Sequence, residues 1–322
     1  MWPIKITSGG VVTPPLFCYT YIDILSKSLF EEFDTMNLCD INDIKALLGR
    51  HGFHFSKSMG QNFLIEDWVP QQIAEASGAA PECGVMEIGP GIGPLTAQLA
   101  QRAGKVAAVE LDRSLLPILS ETMAPYDNVT IVPGDVMKLD LNAFVEEQFP
   151  GLTAMVCANL PYNITTPVLT ALIESHRFSA ITVMIQREVA LRICAAPGTP
   201  DYGAFSIYCQ YYTEPTLLFD VPPTCFLPAP KVTSAVIRLL PRSAPPVSVC
   251  DEALFFRLVK AAFAQRRKTL LNALSAGFGS QIPKEELRLI LEACSLPADV
   301  RGERLGICDF AGLAAAIQKR LS

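Results

Sequence analysis

Val85-Met86-Glu87-Ile88-Gly89-Pro90-Gly91-Ile92-Gly93 is the stretch on which the fold turns. It is a short apolar strand running into a glycine turn. Leu95, Leu99 and Ala100 then mark the apolar face of a helix. Glycines at such a turn let the backbone bend sharply and approach a ligand that a side chain would block. A dinucleotide fingerprint, G-x-G-x-x-G, wants its third glycine where this chain has Pro94, and Gly93 comes one residue early. That weighs against NAD and FAD. Twenty-one residues after Gly89, a second apolar run, Val106-Ala107-Ala108-Val109, ends in Glu110. A carboxylate at the end of a second strand is placed to accept hydrogen bonds from two ribose hydroxyls. Together the turn and Glu110 point to a nucleoside cofactor without a pyrophosphate requirement.

Working outward, 322 residues suit one large α/β domain and a smaller one. Half the residues are hydrophobic and 18% are charged, so a sizeable core is available and global disorder is excluded. No apolar run reaches the length of a membrane span. The ten cysteines include no C-x-x-C pair, and there are only three histidines, which argues against zinc. Without a secretory signal, the cysteines read as reduced cytosolic thiols. Net charge is −6, but from Pro241 onward twelve Lys and Arg face eight Asp and Glu. A basic C-terminal lobe on an acidic body is compatible with local phosphate contact.

Strands are expected at 84–88, 105–109, 128–132, 153–158 and 180–186. Helices are expected near 94–103, 113–123, 142–149, 165–174, 187–195 and 203–213. This alternation predicts a parallel sheet. Two further runs, Thr216–Phe219 and Val232–Leu240, are placed to close it as an antiparallel hairpin. Two helices, over 41–50 and 67–77, flank a polar-aromatic loop, Ser58–Leu64. Pro241–Pro246 is the linker, followed by helices at 251–265, 268–276, 283–294 and 309–320. Residues 1–35 fit neither this pattern nor a signal or transit peptide. Translation is expected to begin at Met36, because Glu31-Glu32 can be encoded GAGGAG, a ribosome-binding sequence three codons upstream. The codons and an intact mass check this.

The third strand ends in Pro133-Gly134-Asp135, whose carboxylate can accept a hydrogen bond from an adenine amino group. The fourth ends in Ala158-Asn159-Leu160-Pro161-Tyr162-Asn163. Asn-x-Pro-aromatic at that place puts an amide oxygen, a backbone carbonyl and a ring into one crevice. Pro161 lacks an N–H and fixes the bend, leaving the Leu160 carbonyl as an outward acceptor. Two acceptors match the two N–H donors of an exocyclic amine, and Tyr162 can stack on the base.

These residues carry a resemblance. The chain resembles the KsgA family of 16S rRNA adenine-N6 dimethyltransferases, relatives of the Erm resistance methylases, over residues 37–322. The motifs are Gly60-Gln61-Asn62-Phe63-Leu64, Glu87-Ile88-Gly89-Pro90-Gly91, Glu110-Leu111-Asp112, Asn159–Asn163, Phe226-Leu227-Pro228-Ala229-Pro230-Lys231-Val232 and Phe263–Leu270. The resemblance implies a Rossmann-like class I methyltransferase domain at 36–241, with a mostly parallel seven-stranded sheet whose last strand is antiparallel. It also implies a helical RNA-recognition domain at 247–322.

S-adenosylmethionine is the implied methyl donor, held by Asn62, Leu64, Glu87, Gly89, Gly91, Glu110, Asp135 and Asn159. Asn159, Leu160, Pro161, Tyr162 and Phe226 are the implied catalytic set, with Phe226 stacking opposite Tyr162. Arg257, Lys260, Ala264 and Arg267 follow helical spacing, with Arg266 and Lys268 beside them. In the family context the basic members of this set are an RNA-phosphate face. The implied substrate is 16S rRNA in the 30S subunit or its precursor, for a cytoplasmic monomer away from membranes. The alternatives are an Erm-type 23S rRNA methylase and a non-catalytic rRNA-binding assembly factor. Departures from the pattern are Ala204 where a basic residue is common, Gln186-Arg187-Glu188, and Cys157 where Gly or Ala is frequent.

Overall fold

The structure, a computed structural model, describes residues 36–55, 61–265, 267–297 and 299–321. The expected N-terminal extension, Gly60 of the Gly60–Leu64 motif, and Arg266 lie outside them. Helix α1 (Ile41–Arg50) starts at Asp40, whose carboxylate accepts the Asn42 and Asp43 N–H groups at 2.8 and 3.1 Å. Strand β1 (Phe63–Leu64) and helix α2 (Trp68–Ser77) follow. Next come β2 (Cys83–Ile88), α3 (Pro94–Ala100), β3 (Lys105–Glu110), α4 (Leu116–Thr122), β4 (Val129–Pro133) and α5 (Leu141–Gln148). The alternation continues through β5 (Thr153–Asn159), α6 (Thr165–Glu174), β6 (Ile181–Gln186), α7 (Arg187–Cys194) and α8 (Ala204–Tyr212). Strands β7 (Thr213–Val221), β8 (Phe226–Leu227) and β9 (Ser234–Pro241) lead to four helices. These are α9 (Glu252–Phe263), α10 (Leu270–Phe278), α11 (Lys284–Ala293) and α12 (Ile307–Leu321).

Seven strands form one sheet in the order β4-β3-β2-β5-β6-β9-β7. The β2–β6 pairings are parallel, and β9 runs antiparallel between β6 and β7. The chain lays β3 and β4 on one side of β2, and β5 and β6 on the other. This change of direction opens a crevice at the carboxyl ends of β2 and β5, where open α/β sheets bind ligands.

Side chains alternate between two apolar layers, as the period of two requires. Met86, Ile88, Val156, Ala158, Val183 and Ile185 pack on the α5–α7 side. Val85, Cys157, Met184 and Val236 pack on the α2–α3 side. Burial on both faces explains why these strands read as continuous apolar runs.

Two features differ from the expectations. The segment expected to be loop at Ser58–Leu64 ends in a strand: β1 pairs antiparallel with β8, Phe63 opposite Leu227 and Leu64 opposite Phe226. Helix α9 stops at Phe263 rather than continuing to 265, so Arg267 is not on its surface. The α9–α12 helices close around Phe255, Leu258, Leu274, Phe310 and Leu313, with Tyr202, Ile207 and Tyr211 reaching in from the sheet side. The Tyr202 hydroxyl donates to the Leu305 carbonyl at 3.0 Å, and the Gly198 N–H to the Glu303 carbonyl at 2.7 Å.

Candidate active site

The glycine turn after β2 is built on three left-handed residues, Gly89 (φ 68°), Gly91 (φ 63°) and Gly93 (φ 95°). A Cβ at Gly91 would stand 3.3 Å from the Phe63 ring, so glycine lets the N-terminal segment close against the turn. The Gly89 N–H donates to the Val109 carbonyl (3.0 Å), and the Gly134 N–H to the Glu110 carbonyl (2.9 Å). These bonds hold the ends of β2, β3 and β4 in one row.

Beside that row lies an open cleft at the carboxyl ends of the strands. Asn62, Gly89, Gly91, Glu110, Asp135, Asn159, Leu160, Pro161, Tyr162 and Phe226 all line it. Residues far apart in sequence are thus gathered at one sheet edge.

Glu110 is nearly buried, and Oε1 accepts the Asp112 N–H at 2.7 Å. Burial raises its carboxyl above the ordinary range, while N–H groups of Asp112, Gly91 and Leu111 partly oppose that. Burial also pushes on Asp112, but bonds from Ser114 and from the Gln61 amide (2.6 Å) outweigh it and hold its carboxyl low. Asp135 turns one oxygen to the Met137 N–H (3.0 Å), with Lys138 at 3.7 Å from the other.

On the β5 side, the Leu160 N–H continues the ladder to the Met184 carbonyl at 3.1 Å. The Pro161 carbonyl accepts both the Ile164 N–H and the Thr165 hydroxyl at 3.2 Å. Among the described residues, no hydrogen bond engages the Asn159 amide or the Leu160 carbonyl. The Tyr162 hydroxyl shares a 2.7 Å hydrogen bond with Ser234 Oγ. Phe226 lines the cleft although only 3% of it is exposed.

Two expected cofactor residues have side chains away from the cleft. Leu64 sits in the β1–β8 ribbon and packs into the α2–α3 core, where an apolar side chain gains most. Glu87 is 1% exposed, within the all-buried strand β2. Burial pushes its carboxyl up to about 8; the Glu110 charge adds to this and the Thr96 hydroxyl opposes it. The cleft also recruits residues not singled out as site residues: Gln61, Phe63, Leu111, Asp112, Val136 and Ile164. Gln61, Phe63, Leu111 and Asp112 belong to the motifs quoted above, so membership of those motifs was the available signal.

Arg257, Lys260, Arg267 and Lys268 do not line this cleft. The Arg257 guanidinium covers the Phe278 ring at 4.3 Å and donates to Gln281 at 2.5 Å, so it is held within the helical lobe. Lys260, Arg267 and Lys268 are exposed, the latter two in the turn between α9 and α10.

The model of the family described as "Ribosomal RNA adenine dimethylase" matches residues 52–295. The chain belongs to that family. It is 49% identical over 276 residues to Ribosomal RNA small subunit methyltransferase A of Geobacillus thermodenitrificans, spanning 85% of this chain and 94% of the relative. The enzyme of the same name from Bacillus cytotoxicus is 50% identical over 280 residues, with 86% and 96% covered. A crystal structure of a dimethyladenosine transferase from Plasmodium falciparum superposes with a TM-score of 0.65 at 25% identity, covering 80% of this chain and 98% of that one. The 23S rRNA methyltransferase ErmE shares the fold, with a TM-score of 0.62 at 23% identity and 80% and 100% coverage.

Family membership implies S-adenosylmethionine as methyl donor, and the residues present fit it. Among the described residues, the cleft wall carries Glu110, Asp112 and Asp135 but neither Lys nor Arg. That polarity suits a cationic nucleoside without phosphate and opposes a nucleotide diphosphate. The side-chain-free turn at Gly89 and Gly91 gives the backbone close access to such a ligand.

Proposed function

We propose that this protein dimethylates N6 of two adjacent adenosines near the 3′ end of 16S rRNA during assembly of the small ribosomal subunit. One observation carries the reading: two acceptors that no described residue engages, the Asn159 amide and the Leu160 carbonyl, sit beside Tyr162 in a cleft whose described lining carries carboxylates and no Lys or Arg. S-adenosylmethionine supplies a sulfonium methyl open to attack by a lone pair.

The protein supplies position. Glu110 holds the ribose hydroxyls of the donor, Asp135 its adenine amine, and the glycine turn and Asn62 the rest. Tyr162 and Phe226 flank the target base, which must leave its stack to enter. Stacking of a splayed base on an aromatic ring is worth roughly 1–3 kcal/mol. The target N6 lone pair is delocalised into the ring and is a poor nucleophile. Hydrogen bonds from its two protons to Asn159 and Leu160 favour a pyramidal nitrogen whose lone pair is freed. Orientation of this kind replaces a strong base, and the surplus proton leaves to water.

The sheet domain (36–241) performs transfer, and the helical domain (247–322) selects the rRNA through Lys260, Arg266, Arg267 and Lys268. The protein acts as a cytoplasmic monomer. Among the described residues, no helix is long and apolar enough to cross a membrane.

The test is transfer of label from S-adenosylmethionine to 30S subunits lacking these modifications, with 50S subunits and 23S rRNA in parallel. Two N6,N6-dimethyladenosines per 30S particle at adjacent positions is the expected result. Label confined to 23S rRNA would move the protein to the Erm branch. Binding of 30S without label would make it a non-catalytic factor.

A further inference from the structure

We infer that Ser234 is a positioning residue that governs the second methyl transfer by fixing the ring of Tyr162. The inference rests on the adenine-dimethylation reading of the cleft. A phenyl ring would offer a base the same stacking face as a phenol, so stacking alone does not require the Tyr162 hydroxyl. That hydroxyl lies 2.7 Å from Ser234 Oγ. Ser234 is fully buried and opens β9, where it is paired with Gln186 of β6 on one side and Val221 of β7 on the other. The adjoining Thr233 carbonyl accepts the Arg187 N–H at 3.0 Å, which ties the same point to the start of α7.

Tyr162, by contrast, is half-buried in the turn after β5. The backbone there is held through the Pro161 carbonyl, and among the described residues the ring is hydrogen-bonded through Ser234 alone. A side chain on a loop is thereby fastened to a buried position paired on both sides within the sheet.

The consequence falls unequally on the two transfers. An unmethylated adenine amine offers two N–H donors, one each for Asn159 and Leu160. After the first transfer a single N–H remains, and one acceptor loses its partner. The orientation of N6-methyladenosine then depends more heavily on the ring that flanks the base. Freeing that ring slows the second transfer more than the first.

The experiment compares wild type with Ser234→Ala, Ser234→Thr, Tyr162→Phe, the Ser234→Ala/Tyr162→Phe pair and Tyr162→Ala on unmodified 30S subunits. Mono- and dimethyladenosine are resolved by mass spectrometry of nucleosides over time. Expected are a rise of about tenfold in the transient monomethyl share for Ser234→Ala and for Tyr162→Phe, the size of one lost hydrogen bond. The double variant should be no worse than either single one. Ser234→Thr should restore the wild-type ratio, and S-adenosylhomocysteine affinity should stay unchanged throughout. A wild-type ratio in Ser234→Ala would overturn the inference, as would an equal slowing of both transfers or a loss that adds to that of Tyr162→Phe. Full turnover in Tyr162→Ala would instead overturn the reading of the cleft itself.

Discussion

Asn159 ends β5 with an amide that none of the described residues engages, and the proposed chemistry needs that amide at N6 of the target. Asn159→Ala is therefore expected to lower kcat by about 100-fold or more, the scale of a lost orienting contact. S-adenosylhomocysteine affinity should change by less than about threefold, because the turn and Glu110 still hold the donor. Parallel single-turnover assays and titration calorimetry check both halves. Glu87 behaves differently. It keeps its proton in the fold up to about pH 8, whereas an ordinary glutamate loses it near 4.5. The folded state therefore binds more protons between those values, and stability falls as pH rises across that window. Glu87→Gln should reduce the fall seen in urea melts between pH 5 and 8. Glu110, also raised, keeps a share of it. An unchanged fall would show that Glu87 ionises freely. The asparagine motif was legible in sequence because each of its residues has a separate chemical reason to be there. Glu87 reads as a ligand contact because it is an acid before a glycine turn; the structure buries its side chain within β2, outside the residues that line the cleft.

At the scale of elements, the parallel strands and their crossover helices were legible to within a few residues. Apolar runs bounded by Gly, Pro and Asp leave few other solutions. The β1–β8 ribbon was not: two-residue strands have no periodicity, and the partners stand over 160 residues apart. The end of α9 was also hidden, since Gln265-Arg266-Arg267-Lys268 contains no helix breaker. That break moves Arg267 and Lys268 into a turn, where they are exposed, while Lys260 stays on the helix. Close joints between elements give their own prediction. A Cβ on Gly104 would lie 2.1 Å from the Pro81 carbonyl oxygen, a backbone atom with no rotamer to yield. Gly104→Ala should cost about 2 kcal/mol or more in denaturant melts, while leaving the cleft residues unaltered. A neutral result would mean that the β2 and β3 approaches can separate without loss.

Across the whole molecule, the two lobes are fastened by bonds that cross between them, Gly198 to Glu303 and Tyr202 to Leu305. On the proposed reading, these bonds tie the helices that would select the rRNA to the sheet that carries the cleft. Replacing Lys260, Arg267 and Lys268 together with alanine should weaken 30S binding and reduce the slope of log affinity against log salt by about 2. Transfer to saturating 30S should remain near normal. Filter binding between low and moderate salt checks the slope, and an unchanged slope would place the phosphate contacts elsewhere. The order of the sheet has an outcome in time as well as in space. Strand β9 stands sixth in the sheet, yet it is the last strand to be synthesised. A nascent chain therefore releases β7 before its partner exists, and β6 waits with one flank bare. At roughly 5–20 residues per second, the gap from Val221 to Pro241 lasts about 1–4 s. The corner that carries Ser234 closes in the same step. The crevice therefore gains its last flank with the end of the sheet, not with the glycine turn near its beginning.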